Sequence, residues 1–301
     1  MRILVTGASG LLGATVVYTA RADHTVAACS CRTALHADGF ETAQLDLTDR
    51  AAFAGVGEAF RPDWICHCAA LTNVDLCERS PELARQQNVV TTEVVAHEAA
   101  RLGAHLLVVS TDSVFDGQSR WYRETDEPRP LNHYASSKLE AERAAASIVP
   151  GAILARTNLY GWNIQPKQSL AEWMLAEIRA GVRIPGWDDV AFTPLFTGDL
   201  AQLLLQMMAG RLEGLFHIGG ADRCSKYEFG RAIARVWQLN PDQLVPTGIG
   251  TMLATRPRDT SLCSEKLTAA LGEATPGLDA GLERMRAWET TELPRLRRLL
   301  A

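Results

Sequence analysis

The fold is decided by residues 1–13, which read Met1-Arg2-Ile3-Leu4-Val5-Thr6-Gly7-Ala8-Ser9-Gly10-Leu11-Leu12-Gly13. Ile3, Leu4 and Val5 are consecutive and apolar, which predicts a strand buried on both faces. The strand stops at Gly7, and an apolar segment compatible with a helix begins near Leu11. This arrangement favours an anion at the helix N-terminus, because the first N–H groups are unpaired and the helix dipole attracts negative charge.

The three glycines have separate roles in this turn. Gly7 permits the tight turn, Gly10 lets a phosphate approach the backbone, and Gly13 lets the helix pack close to the strand. Their spacing is G-x-x-G-x-x-G rather than the G-x-G-x-x-G of the simplest dinucleotide fingerprint. A plain turn between core elements explains three glycines alone equally well, but their place after a buried strand favours a nucleotide pyrophosphate. The residues predicted to hold it are Gly7, Ser9, Gly10, Leu11, Leu12 and Gly13.

Composition narrows the classes of function. The 301 residues suffice for one large or two unequal domains, and the net charge of −5 offers no basic surface for nucleic acid or an anionic membrane. No apolar run approaches the roughly 18 residues of a membrane span. The early core strand leaves no room for a signal peptide, and seven irregularly spaced cysteines favour reduced thiols. We therefore expect a cytoplasmic protein.

Strand and helix patterns alternate along the first half of the chain. Such alternation predicts a Rossmann-like, doubly wound parallel sheet. Strands are predicted near 3–5, 25–30, 41–45, 64–70, 104–110, 152–156 and 216–218, and helices at 11–20, 48–60, 81–101, around 134–138, 170–180, 199 onward and 225–237. Residues 1–160 are predicted to form a nucleotide-binding domain, and residues 192–218 are predicted to contribute to the same domain. Residues 161–191 and 219–301 are predicted to form a smaller mixed substrate-binding domain.

The end of the second predicted strand indicates which dinucleotide binds. NAD-binding folds place an acidic residue there for the ribose, whereas this chain has Ser30, Cys31 and Arg32. An arginine at this place suits the 2′-phosphate of NADP, although it would also fit a solvated loop. The predicted cofactor is therefore NADP(H), preferred over NAD(H). Further predicted contacts are Asp46 and Leu47 near the base, then Cys68, Ala69, Ala70, Thr72, Asn88 and Ser110.

The run Cys66-His67-Cys68 invites comparison with a metal site. Adjacent residues of a strand point to opposite faces, so these three cannot all ligate one ion. We predict no metal and interpret the cysteines as small polarizable core residues.

Tyr134 and Lys138 lie four residues apart, so they share one face of a predicted helix. A free tyrosine has a pKa near 10, and a neighbouring ammonium favours the tyrosinate and lowers that pKa. Thr111 follows a buried strand, and its hydroxyl could polarise a substrate carbonyl. Together with the glycine-rich turn, these residues indicate an acid–base site at the carboxyl edge of the sheet.

Over its whole length the chain resembles the extended short-chain dehydrogenases/reductases, and most of all the dTDP-4-dehydrorhamnose reductases. The resemblance is carried by Gly7–Gly13, Ala69–Asp75, Ser110–Gly117, Pro130–Glu140 and Arg256-Pro257. It implies a triad of Thr111, Tyr134 and Lys138, in which Tyr134 is the acid and Lys138 also holds the nicotinamide ribose. It further implies a nucleotide-sugar substrate, reduced at a 4-keto group, over the second domain; a homodimer is left open.

The substrate pocket is predicted between the sheet edge and the smaller domain. Ser113, Asn158 and Trp162 are expected to line it. Arg256 and Arg258 are expected to grip the diphosphate, because a guanidinium can form two bonds to phosphate oxygens. The alternative is that both arginines only solvate a loop or pair with Asp259.

Two departures from the family pattern bear on the activity. Ser113 stands where the subfamily usually has tyrosine, which weakens the assignment to the rhamnose-pathway substrate. Asp112 lacks the following glutamate of nucleotide-sugar dehydratases, which disfavours elimination and favours ketone reduction. Two alternatives stay open: a non-catalytic NADP-binding partner resembling the regulatory subunit of methionine adenosyltransferase, and an epimerase that keeps NAD bound.

Overall fold

The computed structural model describes residues 1–37 and 39–300. Its strands, in chain order, are β1 (Arg2–Thr6), β2 (Thr25–Ser30), β3 (Glu41–Gln44), β4 (Trp64–His67), β5 (His105–Thr111), β6 (Ile153–Thr157), β7 (Leu159–Tyr160), β8 (Ile184–Trp187), β9 (Ala191–Phe192), β10 (Leu195–Phe196), β11 (Gly214–Ile218), β12 (Cys224–Ser225) and β13 (Leu244–Thr247).

Twelve α-helices are formed by the described residues. They are α1 (Leu11–Ala20), α2 (Arg50–Phe60), α3 (Val74–Arg79), α4 (Pro81–Arg85), α5 (Thr91–Leu102), α6 (His133–Ile148), α7 (Leu170–Arg179), α8 (Thr197–Ala209), α9 (Lys226–Val236), α10 (Glu265–Leu271), α11 (Leu278–Thr290) and α12 (Leu293–Arg297). A π-helical turn (Gln86–Val90) joins α4 to α5, and 3₁₀ turns lie at Asp112–Val114 and Pro241–Gln243. None of these helices is both long and apolar enough to cross a membrane.

A seven-stranded sheet forms the centre, in the order β11-β6-β5-β4-β1-β2-β3, with all neighbours parallel. The chain winds in one direction from β1 to β3 and in the other from β4 to β11. The predicted doubly wound fold is confirmed. The strand order reverses between β1 and β4, and ligands of open α/β sheets bind outside the carboxyl ends of the strands at that point.

The glycine-rich turn follows from close packing between β1 and the segment after β4. Gly7 has a φ of +66°, and a Cβ added there would lie 2.6 Å from the Cα of Ala69. A Cβ on Gly13 would lie 2.2 Å from the carbonyl oxygen of Gly7. Since real Cβ contacts are never this short, both positions require glycine.

Both faces of the sheet are covered. Ile3 and Val5 face one apolar cluster, which includes α1 and α8, and Leu4 faces another, formed mainly with α2 and α5. A further core brings together α7, α9 and α11 around residues such as Met174, Phe229 and Leu282. The domain boundaries at 160, 192 and 218 stay predictions, and Ala301, the end of the second predicted domain, lies outside the described residues.

The helix predicted at 81–101 is present, and its backbone is helical throughout. It consists of α4, the π-helical turn Gln86–Val90 and α5. An additional helix, α3, precedes them and is capped by Asn73, whose Oδ1 accepts a hydrogen bond from Leu76 N at 2.9 Å. The π-helical turn carries the buried Asn88 toward the segment that follows β4.

Candidate active site

A cavity of about 790 Å³ opens at the carboxyl ends of the central strands. It lies beyond the ends of the paired strands β1 and β4, and both the glycine-rich turn and the helix carrying Tyr134 contribute to its wall. Of the residues predicted from sequence, the following line it: Gly7, Ser9, Gly10, Leu11, Leu12, Gly13, Arg32, Asp46, Leu47, Cys68, Ala69, Ala70, Thr72, Ser110, Thr111, Ser113, Tyr134, Lys138 and Asn158.

The glycine-rich turn fits the diphosphate of a dinucleotide. Gly10 is the N-cap of α1 and has no side chain to occupy the free N–H groups of the first turn. The first turn also carries no acidic residue that would repel phosphate. Free N–H groups and the positive end of a helix dipole together favour an anion at this place.

The other end of the cavity lies between β2 and β3. Arg32 lies just after β2 and lines the cavity with Cys31 and Thr33. Asp46 also lines it and accepts hydrogen bonds from the backbone and hydroxyl of Thr48 at 2.9 and 2.8 Å. Arg32 is thus a cation in the cavity wall at the end of β2.

The three residues of the expected triad all line the cavity. Asn132 caps α6 by accepting a hydrogen bond from Ala135 N at 2.9 Å, which fixes the start of the helix that carries Tyr134 and Lys138. Tyr134 and Thr111, at the end of β5, are close enough for the Thr111 side chain to lower the pKa of the phenol. Lys138 is buried, and its Nζ donates to the carbonyl of Val109 at 2.8 Å.

The protonation of Tyr134 differs from the expectation drawn from sequence. A neighbouring lysine was expected to lower the pKa of this phenol, but burial raises the pKa of Tyr134 to about 12, and the hydrogen bond with Thr111 only partly opposes this. Burial also lowers the pKa of Lys138 to about 8, partly opposed by nearby Glu142. Tyr134 is therefore protonated at neutral pH and suited to donate a proton.

Behind the triad, α6 is bound to the sheet by a buried ion pair. Glu142 and Arg156 are 4% and 3% exposed, and Arg156 Nη2 donates to Glu142 Oε2 at 2.7 Å. Ser110 Oγ also donates to Glu142, and Arg156 lies over the ring of Phe115. Because Ser110 precedes Thr111 and Glu142 lies one turn beyond Lys138, this network connects the strand and the helix that carry the triad.

Asp112 is a buried acid in the cavity wall, and both of its carboxylate oxygens accept hydrogen bonds. Its Oδ2 accepts hydrogen bonds from Asn158 Nδ2 at 2.7 Å and from Thr260 Oγ1 at 2.5 Å. Ser113 Oγ donates to its Oδ1 at 3.2 Å. Burial raises the pKa of Asp112, and these hydrogen bonds oppose the rise. Asp112 thereby orients Asn158 and Ser113 in the cavity wall.

Five of the predicted site residues do not line the cavity. Ser30 is buried in β2, and its carbonyl accepts from Leu45 N at 2.9 Å. Asn88 braces the segment after β4, since its Oδ1 accepts from Leu71 N at 2.7 Å and its Nδ2 donates to Ser137 Oγ at 2.9 Å. Trp162 is buried in the core formed by α7, α9 and α11 and donates to the carbonyl of Met285 at 2.8 Å.

Arg256 and Arg258 are held in ion pairs outside the cavity. Arg256 Nη2 lies 3.0 Å from Asp75 Oδ1, and Arg258 pairs with Asp189. Asp259, which sequence offered as their partner, pairs with Arg223 at 2.6 Å. Both arginines therefore pair with aspartates of the protein, and neither lines the cavity in which they were expected to bind a diphosphate.

Several cavity residues escaped the sequence analysis. They include Leu76, Gln87, Thr91, Asn163, Gln165, Lys167 and Gln168. The polar run Gln165-Pro166-Lys167-Gln168 was a usable signal, because it lies directly before the helix predicted at 170–180.

His67, the last residue of β4, lies between Cys66 and Cys68 in the chain and contacts two hydroxyl groups. Its Nδ1 lies 2.7 Å from Thr6 Oγ1 and its Nε2 lies 3.1 Å from Thr92 Oγ1. Burial lowers the pKa of His67 to about 3. His67 is therefore neutral. Its two hydrogen bonds connect β4 to β1 and to α5.

The parallel sheet and the residues that line this cavity are those of an extended short-chain dehydrogenase/reductase. Within that class, the family model described as the RmlD substrate binding domain matches residues 1–290, so the chain belongs to the RmlD, or dTDP-4-dehydrorhamnose reductase, family. Solved structures similar to this chain include dTDP-4-dehydrorhamnose reductases, one of them in complex with NADP.

Relatives within the family have different roles. Methionine adenosyltransferase 2 subunit beta of Xenopus tropicalis is 35% identical over 284 residues, covering 91% of this chain and 84% of the relative. The probable low-salt glycan biosynthesis reductase Agl14 of Haloferax volcanii is 30% identical over 295 residues, covering 95% and 98%. The structure of dTDP-4-dehydrorhamnose reductase from Bacillus anthracis in complex with NADP has a TM-score of 0.82 and 26% identity, covering 95% and 98%.

Proposed function

We propose that this protein reduces a 4-keto group of a nucleotide-activated deoxysugar with NADPH. The observation that carries the proposal is that Thr111, a protonated Tyr134 and Lys138 share one cavity with the glycine-rich turn. Reduction of a ketone needs a proton donor beside the carbonyl, and a phenol with a pKa of about 12 supplies one at neutral pH.

Each residue of the triad has a distinct task in this proposal. Tyr134 donates its hydroxyl proton to the carbonyl oxygen as negative charge develops there. Thr111 lies against Tyr134 and hydrogen-bonds the same oxygen, which stabilises that charge. Lys138, anchored on the carbonyl of Val109, provides a donor for the nicotinamide ribose. When bound, NADPH supplies the hydride.

Arg32 is proposed to select NADPH over NADH. Arg32→Ala is expected to weaken NADPH binding by about 10–150-fold, because a charge-assisted contact contributes about 1.5–3 kcal/mol, and to leave NADH binding nearly unchanged. Titration of both dinucleotides against the parent protein and the variant by calorimetry measures this. Equal affinities of the parent protein for NADPH and NADH would contradict it.

A second candidate is a cofactor-binding partner protein without turnover. It is favoured by the 35% identity to methionine adenosyltransferase 2 subunit beta, and a complete triad does not by itself demonstrate turnover. The third alternative, an epimerase, would retain bound NAD through purification. Cytoplasmic location and assembly as a homodimer stay predictions under each of these functions.

A substrate panel separates these functions. We expect NADPH oxidation with at least one 4-keto nucleotide sugar, measured by the fall in absorbance and by identification of the 4-hydroxy product. NADPH binding without oxidation of it by any keto sugar would favour the partner protein. Interconversion of 4-hydroxy sugars with no added cofactor would favour the epimerase.

A further inference from the structure

A segment that the sequence analysis left unassigned crosses the cavity. Residues 163–169, here called the strap, connect the region after β7 to α7. Gln165 Nε2 donates to the carbonyl of Ser9 in the glycine-rich turn at 2.8 Å. Two residues later, Lys167 Nζ donates to Thr72 Oγ1, on the segment after β4, at 3.1 Å. The strap therefore contacts both walls of the cavity.

Both ends of the strap are fixed. Asn163 N donates to Glu172 Oε1 at 3.0 Å, and Asn163 Oδ1 accepts from Gln165 N at 3.1 Å. At the other end, Ser169 and Glu172 form a capping box that opens α7. Lys167 thus projects from a short segment held on both sides.

The charges of the cavity make Lys167 distinctive. Among the described lining residues the cations are Arg32, Lys138 and Lys167. Arg32 lies at the ribose end, and Lys138 is buried against Val109. The glycine-rich turn offers only N–H dipoles, since the first turn of α1 has no charged side chain. A diphosphate there carries about two negative charges, and Lys167 is the remaining cation of the cavity lining, two residues from the Gln165 that bonds Ser9 in the turn.

We propose that Lys167 binds the diphosphate of the dinucleotide cofactor, with Gln165 keeping the strap over the glycine-rich turn. This inference rests on the proposed use of NADPH. It assigns the cofactor's negative charges to two separate cations: Arg32 meets the 2′-phosphate and Lys167 meets the diphosphate that NADPH and NADH share.

The two assignments predict different binding patterns. Lys167→Met is expected to weaken NADPH and NADH equally, by about 10-fold at low salt, because a partly solvated contact lies at the lower end for charge-assisted hydrogen bonds. Arg32→Ala weakens NADPH alone. Lys167→Arg should restore most of the affinity. Lys266→Met is the matched control, since Lys266 is an exposed lysine bonded to Leu215 O, away from the cavity.

Calorimetric titration of NADPH, NADH and dTDP against each protein tests this directly, without turnover. An unchanged affinity of Lys167→Met for both dinucleotides overturns the assignment. If that variant loses affinity for dTDP instead, Lys167 serves a substrate diphosphate and the assignment is again overturned. If the parent protein binds neither dinucleotide, the proposed function itself fails. If the parent protein binds both and Lys167→Met binds them equally well, only the assignment of Lys167 fails.

Discussion

Replacing Tyr134 by phenylalanine should slow the reduction of a 4-keto nucleotide sugar by about 10²–10⁴-fold, the usual contribution of a general acid. The substitution keeps the partly buried ring and removes only the hydroxyl. Folding and NADPH affinity should therefore persist. Single-turnover rates, with NADPH affinity measured separately, give the effect on the chemical step.

Tyr227→Phe serves as the control for this substitution. Its hydroxyl accepts a hydrogen bond from Arg231 at 3.1 Å on the exposed side of α9 and does not line the cavity. We expect this variant to turn over like the parent protein. A Tyr134→Phe rate close to the parental rate would show that the proton comes from another group.

Replacing Glu142 by leucine should destabilise the protein by about 3–5 kcal/mol, since it leaves the Arg156 guanidinium buried without its partner. Glu142→Leu combined with Arg156→Met should recover much of this loss, because two apolar side chains then replace the two charges. Urea unfolding at equilibrium measures the free energy of unfolding for each variant.

Glu140→Leu is the matched control on the same helix. Glu140 pairs with Arg85 at 3.2 Å, but both side chains are about half exposed, so its loss should cost no more than about 1 kcal/mol. Equal losses for Glu140→Leu and Glu142→Leu would mean that burial does not determine the contribution of the Glu142 pair.

The parts of the fold that depend on local sequence could be predicted. The helix at 11–20 and the strand at 25–30 match α1 and β2, and Ser225 and Glu228 form the capping box at the start of α9. These elements follow from apolar runs and capping residues that lie within a few positions of one another. The glycine-rich turn and the triad were likewise visible as short motifs.

Features that depend on distant contacts could not be predicted. Arg256 pairs with Asp75, 181 positions away, and Trp162 donates to Met285, 123 positions away. Asn88 is turned toward Leu71 by a π-helical turn that has no simple sequence signal. The pKa of Tyr134 depends on burial by the whole fold, which the spacing of Tyr134 and Lys138 on a helix does not show.

Strand β11 pairs with β6 but is synthesised much later, which has a consequence for folding on the ribosome. Thr157 of β6 donates its hydroxyl to the carbonyl of Ile218 in β11, and 61 positions separate them. At about 5–20 residues per second, β6 waits about 3–12 s for its outer neighbour. During that interval its unpaired edge can recruit a strand from another nascent chain. A fragment ending near residue 160 would keep that edge permanently open.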